Sequence, residues 1–353
     1  MNYKETLKTL IENVVKQGGS DLHFSEGRHP TIRVNQDLVP MLDHPILSKE
    51  DTKGLLKEMI TENDVAKFVE DFELDFAYEN EEKHRFRGSA FVQQGKVGVV
   101  LRLIPKNIKT LDELGIPEIV VDFARRKQGF FLVVGPVGQG KSTTLAAMIE
   151  LINQERTEHI ITIERPIEYV YEQKNSIIDQ REIPADSKTF ESGLNGTFRQ
   201  DVDVILVGEM RGKDTIQAAV TAAETGHLVF STLHTNNASQ TIDRIIDSFP
   251  AEQQDQIRLQ LSSSLIGIFS QRLIPRISGG LIPAYELLIN NSAVSNLIRE
   301  KRTHEIDTVI ETGSESGMID MNRVLADLVR RGEITSEDAF KYSFRPNVLQ
   351  KLI

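Results

Sequence analysis

The segment that decides the fold lies mid-chain, where the apolar run Phe130-Phe-Leu-Val-Val134 leads directly into Gly135-Pro-Val-Gly-Gln-Gly-Lys-Ser-Thr143. The second stretch is a complete G-x-x-x-x-G-K-S motif, and residues 144–151 after it have a helical pattern. A strand, a glycine-rich loop and a helix in this order are typical of a phosphate-binding loop, because glycines let backbone N–H groups turn toward the phosphates. In such a loop Lys141 neutralises the β and γ oxygens, and the Ser142 hydroxyl can ligate Mg²⁺.

Every residue of this loop is therefore a candidate for contact with a bound nucleotide. The alternative is a glycine-rich turn that binds nothing, which the strand-loop-helix context disfavours. The candidates are Gly135, Pro136, Val137, Gly138, Gln139, Gly140, Lys141, Ser142 and Thr143.

Further short apolar runs alternate with helical stretches in the second part of the chain. They lie at Ile160–Ile163, Val204–Val207 and Leu228–Thr232. Such runs are typical of buried strands in a mostly parallel sheet with crossover helices, so we predict an α/β fold. Beyond about residue 251 we predict a helical region, with helices at 252–272, 292–302, 320–331 and 336–342.

Polar side chains follow three of these predicted strands. Glu164, Glu209 and His234 each come at or just after the end of an apolar run. Ligands of parallel sheets bind beyond the carboxyl ends of the strands, where a carboxylate can orient the attacking water or hold Mg²⁺. A lone Glu at a strand end is a solvent-exposed cap about as often as it is part of a functional site. The presence of three polar groups at strand ends favours a site. His227 precedes its strand, so we expect it at the opposite edge of the sheet or at an interface.

The first hundred residues have a different pattern. Apolar positions at helical spacing predict a helix over residues 3–17, which ends at a glycine pair. Short β-like runs at Thr31–Val34 and Asp75–Tyr78 precede a predicted hairpin of Arg85–Val92 and Val97–Ile104. We place the domain boundary near residue 105. The spacing of Thr110 and Glu113 matches a capping box and predicts a helix start.

Arginine side chains cluster on the predicted hairpin. Strict alternation places Arg85 and Arg87 on one face, and Arg102 interrupts the apolar run of the partner strand. Clustered guanidinium groups suit the γ-phosphate of a neighbouring subunit, as an arginine finger does. The alternative is a ladder of surface cations that pair with the acidic run Glu70–Glu82.

The composition excludes several classes of protein. The chain has 52 Asp and Glu residues against 41 Lys and Arg, a formal charge of −11, and no Cys. Without Cys, disulfide frameworks, thiolate metal sites and Cys nucleophiles are excluded. The acidity, and the lack of basic residues interleaved with aromatic ones, argue against nucleic acid as a partner. No apolar run approaches the ~18 residues of a membrane span, so we expect neither a signal peptide nor an integral membrane segment.

These segments together resemble a known family: the type IV pilus motors of the PilT and PilU kind, within the type II and type IV secretion ATPases. The resemblance covers nearly the whole chain. It is carried by Gly-Ser-Asp-Leu-His23, the phosphate loop, Ile163-Glu-Arg-Pro-Ile-Glu-Tyr169, Asp203-Val-Ile-Leu-Val-Gly-Glu-Met-Arg211 and Thr225-Gly-His-Leu-Val-Phe-Ser-Thr-Leu-His-Thr235.

The resemblance implies a domain organisation and an assembly. It implies a PAS-like α+β domain over residues 1–105, a linker over 106–117, and a RecA-like P-loop ATPase domain over 118–353 that includes C-terminal helices from about residue 290. It also implies a homohexamer that uses ATP and Mg²⁺. This ring would lie in the cytoplasm, peripheral at the inner membrane, and act on the pilus platform protein there.

The resemblance also implies residue roles. Glu164 would activate water, and Glu209 would close the Walker B strand and share the metal with Ser142. His227 and His234 fall in the segment that corresponds to the family's His box, and His227 is counted with the nucleotide-binding residues. Arg85, Arg87 and Arg102 match the arginine-bearing strands of the N-terminal domain.

The resemblance further implies a retraction motor, because the chain lacks the extra N-terminal domain and four-cysteine zinc motif of many extension and secretion motors. Two positions depart from the family pattern: Arg165 stands where Asp is expected, and Ser295 replaces the Arg of A-I-R-N-L. An accessory motor of the PilU kind and a nucleotide-binding regulatory module with low turnover are the alternatives. A nucleic-acid motor is disfavoured by the charge.

Overall fold

The protein is described here from a computed structural model, which covers residues 2–34, 37–210 and 212–353. The chain divides into two compact units. The first is the chain up to Asn107 together with Pro166–Val170, and the second consists of Ile108–Arg165 and Tyr171–Ile353. Arg211, the last residue of the Asp203–Arg211 segment quoted above, lies outside the described residues.

Within its described residues, the first unit has three helices and a six-stranded sheet. The helices are α1 (Tyr3–Lys16), α2 (Lys49–Lys57) and α3 (Glu62–Asp71). The strands are β1 (Asp21–Ser25), β2 (Thr31–Val34), β3 (Asp37–Pro40), β4 (Glu73–Glu79), β5 (Arg85–Gln93) and β6 (Lys96–Ile104).

The sheet of the first unit is antiparallel throughout, in the order β3-β2-β1-β6-β5-β4. The predicted helix and hairpin are confirmed. Helix α1 buries Leu7, Leu10 and Ile11 on one face, as its periodicity predicts. The hairpin turns at Gln94-Gly95, where both residues have positive φ angles, as a tight two-residue turn requires.

The second unit is built on a seven-stranded sheet in the order β13-β12-β7-β11-β10-β8-β9. Its strands are β7 (Gly129–Val134), β8 (His159–Glu164), β9 (Ile177–Glu182), β10 (Val204–Val207), β11 (Leu228–Leu233), β12 (Leu265–Pro275) and β13 (Leu281–Ile289). Its helices are α4 (Ile119–Ala124), α5 (Lys141–Glu155), α6 (Phe190–Thr197), α7 (Lys213–Glu224), α8 (Ala238–Asp247), α9 (Ala251–Ser264), α10 (Ser292–Arg299), α11 (Ile306–Thr312), α12 (Met321–Arg330), α13 (Ser336–Tyr342) and α14 (Pro346–Leu349).

The predicted parallel sheet is confirmed. Strands β12, β7, β11, β10, β8 and β9 run parallel, and β13 pairs antiparallel with β12. All residues of β7, β10 and β11 are buried, as expected for strands covered on both faces. Among the helices of the described ranges, none is long and apolar enough to span a bilayer.

The helices predicted at 292–302, 320–331 and 336–342 are confirmed as α10, α12 and α13. The helix predicted over residues 252–272 is confirmed only as far as Ser264, so the prediction of a wholly helical region beyond residue 251 is wrong. Helix α9 ends at Ser264 and the chain continues as strand β12. The hydroxyls of Ser262, Ser263 and Ser264 donate to backbone carbonyls three or four residues back, a pattern that weakens helix continuation. A short apolar run fits a helix or a strand, and here pairing with β7 and β13 decides for a strand.

The helix predicted at the capping box is also wrong. The Thr110 and Glu113 hydrogen bonds are present, with Thr110 N–H donating to the Glu113 carboxylate at 2.7 Å. The following residues form turns, and the next helix is α4. Gly115, at φ +69°, and Pro117 follow too closely for a helix to continue.

Candidate functional site

The phosphate loop lies between β7 and α5, as the sequence predicts. Lys141 is the first residue of α5 and is 7 % exposed. Its ammonium Nζ donates to the carbonyl oxygens of Gly135 and Pro136, at 2.8 Å each. The cation therefore lies over the beginning of its own loop, where it can meet a phosphate oxygen.

Two glycines of the loop combine a positive φ angle with a close approach to β12. Gly135 has φ +147°, and a Cβ there would lie 2.5 Å from the Gln271 carbonyl oxygen. Gly140 has φ +78°, and a Cβ there would lie 2.9 Å from the Gln271 side-chain nitrogen. A side chain at either position would collide with β12 or force the loop outward. At Gly138, by contrast, a Cβ would meet nothing within 4 Å, so the loop is open at its middle.

His234 lies beside the loop. It follows β11, the strand next to β7, and its Nδ1 is 3.3 Å from the Lys141 ammonium. Since the ammonium only donates, this contact is a hydrogen bond when Nδ1 carries no proton. The structure therefore brings together two residues that are 93 positions apart in the sequence.

Glu164 and Glu209 lie at the same edge of the sheet, because β8 and β10 are parallel neighbours. Glu164 ends β8, is 8 % exposed, and accepts a hydrogen bond from the Thr162 hydroxyl at 2.7 Å. Glu209 follows β10 and is half-buried. A buried carboxylate next to a hydroxyl donor is held in one orientation, as a group that positions water must be.

Few protein side chains are available as ligands for the predicted Mg²⁺. Within residues 2–34, 37–210 and 212–353, no three His, Cys, Asp or Glu side chains form a group that could hold a metal ion. Mg²⁺ in nucleotide sites takes one or two protein ligands and fills its octahedron with phosphate oxygens and water. The exposed Ser142 hydroxyl in the first turn of α5, and Glu209, fit that sparse donor set.

His227 lies at the other end of the sheet. It precedes β11, and its neighbour Leu228 pairs with Gly129 at the start of β7. Its Nδ1 lies 2.9 Å from the Ala222 carbonyl oxygen, and its ring packs edge-on against Phe198. The length of β11 therefore separates His227 from the phosphate loop of the same chain.

The three arginines lie on neighbouring strands of the first unit. Arg87 is directly opposite Arg102 across β5 and β6, and Arg85 shares the less buried face of β5 with Arg87. Arg102 forms an ion pair with the buried Asp21 at 2.9 Å. Like charges directly opposite on a sheet destabilise it, so these arginines need anions close by.

Arg165 and Glu168 follow the end of β8. The Glu168 carboxylate lies 3.9 Å from an Arg87 guanidinium nitrogen, within the first unit. The exposed Arg165 lines a small cavity of about 250 Å³ together with Lys188, Glu191 and Asp214.

Sequence reasoning missed the residues of β12 that support the loop. Gln271 and Arg272 are 3 % and 5 % exposed. Arg272 donates to the Gln271 carbonyl and to both oxygens of Asn236, and it lies over the Phe344 ring. Burial lowers the pKa of Arg272. Three consecutive polar residues inside the apolar run 265–274, Ser270, Gln271 and Arg272, were the available signal, and the prediction of a helix there obscured it.

A buried carboxylate on β13, the strand next to β12, holds the segment after His234 in place. Glu286 of β13 accepts from the Ala238 N–H at 2.9 Å and from the Ser270 hydroxyl at 3.2 Å. Burial, and to a smaller extent the charge of Asp307, raise the pKa of Glu286 to about 7. Strands β12 and β13 thus hold both the loop and the His234 segment in place.

Comparison with known proteins places this site in context. The family model described as "Type II/IV secretion system protein" matches residues 2–318. The type IV pilus retraction ATPase PilT of Pseudomonas aeruginosa is 44 % identical over 330 residues, which cover 94 % of this chain and 96 % of the relative. The type IV pilus ATPase PilU of the same organism is 41 % identical over 354 residues, which cover 100 % and 91 %. A crystal structure of the pilus retraction motor PilT with bound ADP has a TM-score of 0.91 at 44 % identity and covers 98 % of both chains.

Proposed function

The chain belongs to the type II/IV secretion system protein family, and on that premise we propose that it is an ATP-hydrolysing motor that powers type IV pilus retraction. The observation that carries this proposal is the edge of the parallel sheet. There Lys141 lies within hydrogen-bonding distance of the Gly135 carbonyl oxygen and of His234. At the same edge, Glu164 ends β8 and Glu209 follows β10. The solved relative with bound ADP supports nucleotide binding by the same fold.

The proposed reaction is hydrolysis of ATP to ADP and phosphate. A water oxygen attacks the γ-phosphorus, the bond between this phosphorus and the β,γ-bridging oxygen breaks, and ADP leaves. Glu164 orients that water and accepts its proton. Lys141 and the inward N–H groups of the loop compensate the charge on the β and γ oxygens, and His234 contacts Lys141 beside them.

Mg²⁺ is proposed as the second cofactor, held by Ser142 and Glu209. A bound Mg²⁺ would supply charge compensation to the phosphate oxygens. The sparse donor set of Ser142 and Glu209 supports this, because the remaining positions of a nucleotide-bound Mg²⁺ are filled by phosphate and water.

We further propose that the active form is a homohexamer, with Arg85, Arg87 and Arg102 directed to the γ-phosphate of a neighbouring subunit. The close approach of Arg87 and Arg102 supports this, since a paired cationic face gains stability from an anion. His227, at the far end of β11, would then act at a subunit boundary and not in the site of its own chain.

The domain assignment is part of the same proposal. We assign a PAS-like domain to residues 1–105, a linker to 106–117 and a RecA-like ATPase domain to 118–353. The antiparallel sheet of the first unit and the mostly parallel sheet of the second unit support this assignment. The motor would act in the cytoplasm, at the inner membrane, on the pilus platform protein, and it would not use nucleic acid as a substrate.

The experiment that tests the proposal has a biochemical and a cellular part. The purified full chain should hydrolyse ATP and form a ring in native mass spectrometry. Deletion of the gene should leave cells overpiliated and unable to twitch, because pili are then made but not retracted. Absence of ATP turnover would instead support a regulatory nucleotide-binding module, and bald cells would indicate an extension motor.

An accessory motor of the PilU kind is the second candidate, and Ser295 favours it. Its hydroxyl oxygen lies 2.9 Å from the Ser262 carbonyl oxygen and 3.1 Å from the Asn290 side-chain oxygen, so its single O–H donates to one of these two acceptors and ties α10 to the end of α9. An Arg at position 295 would remove these hydroxyl contacts and introduce a long, positively charged side chain. In the deletion strain, near-normal piliation together with weakened twitching under load would identify an accessory motor.

A further inference from the structure

Gln271 is the residue of β12 that touches both sides of the phosphate loop. Its Nε2 lies 2.9 Å from the Gln139 carbonyl oxygen, in the middle of the loop. Its Oε1 accepts the hydroxyl of Thr144, in the first turn of α5, at 2.7 Å. With only 3 % of its surface exposed, Gln271 makes both hydrogen bonds away from competing water.

The chemistry of these partners sets the orientation of the Gln271 amide. A backbone carbonyl oxygen only accepts, so the amide nitrogen must face Gln139. The amide oxygen is then left for the Thr144 hydroxyl. The Gln139 side chain returns the contact to β12, because its Oε1 accepts the Leu273 N–H at 2.7 Å.

This contact has a consequence for the next peptide N–H. In a trans peptide the carbonyl of one residue and the N–H of the next point in opposite directions. Because Gln271 holds the Gln139 carbonyl toward β12, the Gly140 N–H points away from β12. The φ angle of +78° at Gly140 then turns the chain into α5, whose amino terminus faces bound phosphate in loops of this kind.

We propose that Gln271 is a positioning residue for nucleotide binding, which fixes the peptide between Gln139 and Gly140 so that the Gly140 N–H donates to the phosphates. This inference rests on the proposed ATP-binding function of the loop. Gln271 acts through the loop backbone and does not itself contact the nucleotide.

The sharpest test replaces the amide by a carboxyl group. In Gln271→Glu the ionised carboxylate still accepts from Thr144 but repels the Gln139 carbonyl, whereas the protonated acid donates an O–H there and restores the original pattern. A buried carboxyl has a raised pKa, so this exchange takes place at mildly acidic pH. In Gln271→Leu no pH restores a donor.

The affinity for ADP is measured on the full-length protein by isothermal titration calorimetry, with each variant compared with wild type at the same pH. We expect Gln271→Leu to bind at least about tenfold more weakly at both about pH 8.5 and about pH 5.5. We expect Gln271→Glu to show that loss at about pH 8.5 and to recover to within about threefold of wild type at about pH 5.5. Gln217→Leu, which removes a glutamine with two side-chain partners on α7 and α9, is the matched control and should bind as wild type does.

Three outcomes would overturn the inference: wild-type affinity in Gln271→Leu, wild-type affinity in Gln271→Glu at high pH, or a Glu variant whose loss is the same at every pH. The last comparison is made within one protein, so it holds even if Gln271→Leu does not fold. Failure of the wild-type protein to bind ADP would instead contradict the proposed function, and the two failures are therefore distinguishable.

Discussion

The carboxyl edge of the large sheet and the arginine face of the first unit are both predicted sites, but they are organised differently. At the sheet edge, residues from distant parts of the chain meet because parallel strands end together, and Lys141, His234 and Glu164 each have partners within the unit. On the arginine face, Arg87 and Arg102 lie opposite each other, and the acids near them are Glu168 and Asp21. The first arrangement can bind a phosphate with groups from one chain, whereas the second places two cations directly opposite each other.

This difference suggests which residues act in the site of their own subunit and which act in the site of a neighbouring subunit. Substitutions at the sheet edge should act on the site of the same chain, and substitutions on the arginine face should act only when the chain is assembled. Substitutions on each of the two surfaces test that division.

Lys141→Ala should abolish ATP turnover. It removes the cation that lies over the loop, so charge on the β and γ oxygens is no longer compensated. Steady-state phosphate release measures the effect, with Lys174→Ala as a control that removes a cation paired with Glu150. Turnover within a few-fold of wild type would contradict a phosphate-binding role for this loop.

Arg102→Ala should also inactivate the ring, but through the neighbouring site. Mixing Arg102→Ala subunits with Lys141→Ala subunits should restore part of the ATPase activity, because some sites then have an intact loop and an intact arginine from different chains. The activity is measured in rings that native mass spectrometry shows to be mixed. No recovery in such rings would favour an arginine that acts within its own chain or has a structural role.

The Arg102 experiment needs a control for the buried acid. Arg102→Ala leaves Asp21 without its 2.9 Å partner, which costs stability by itself. The double variant Arg102→Ala with Asp21→Asn removes both charges, and Asp21→Asn alone keeps the arginine. If Asp21→Asn is as inactive as Arg102→Ala, the ion pair is structural and the arginine-finger role is wrong.

Glu164→Gln should bind ATP and hydrolyse it at least ~10²-fold more slowly, since it keeps the shape of the side chain but loses the proton acceptor. Single-turnover hydrolysis separates chemistry from binding. Glu182→Gln is the matched control, because Glu182 is the register partner of Glu164 on β9. Nearly normal hydrolysis in Glu164→Gln would transfer the role to Glu209.

Arg165→Asp, which restores the family residue, should change the turnover number by no more than roughly tenfold, or about 1.4 kcal/mol in the barrier. The exposed side chain of Arg165 lines a small cavity that Glu164 does not line. The turnover number of this variant at saturating ATP is the measurement. A far larger loss would make Arg165 part of the chemistry, and a far larger gain would show that it restrains the enzyme.

Glu286→Gln should change stability in a pH-dependent way. The pKa of Glu286 is raised to about 7 in the folded protein, so the folded state holds this proton more tightly than the unfolded state. Wild-type stability should therefore fall as pH rises from about 4.5 to about 7, by up to about 3 kcal/mol, whereas Gln cannot ionise. The Tm of the variant should exceed that of wild type by a few degrees more at about pH 8 than at about pH 5. An equal Tm difference at both pH values would show that Glu286 does not ionise between about pH 5 and about pH 8 in the folded protein, and would contradict the raised pKa.

The sequence alone determined the features that depend on local pattern. The phosphate loop, strands β7, β8, β10 and β11, and the polar residues at the ends of three of them follow from short apolar runs and turn chemistry. The amphipathic helix α1 and the hairpin of β5 and β6 follow in the same way. The physical reason is that periodicity and glycine placement act over a few residues, and neighbouring parallel strands must end at one edge.

The role of β12 depends on long-range strand pairing. Its sequence follows a good helix and is apolar enough for either conformation, so pairing with β7, more than a hundred residues earlier, is what makes it a strand. That pairing brings Gln271 to the phosphate loop and Arg272 to Asn236. In the same way, the pairing of β1 with β6 brings Asp21 to Arg102. Contacts between distant segments depend on which strand edges are left to pair, and no local pattern carries that information.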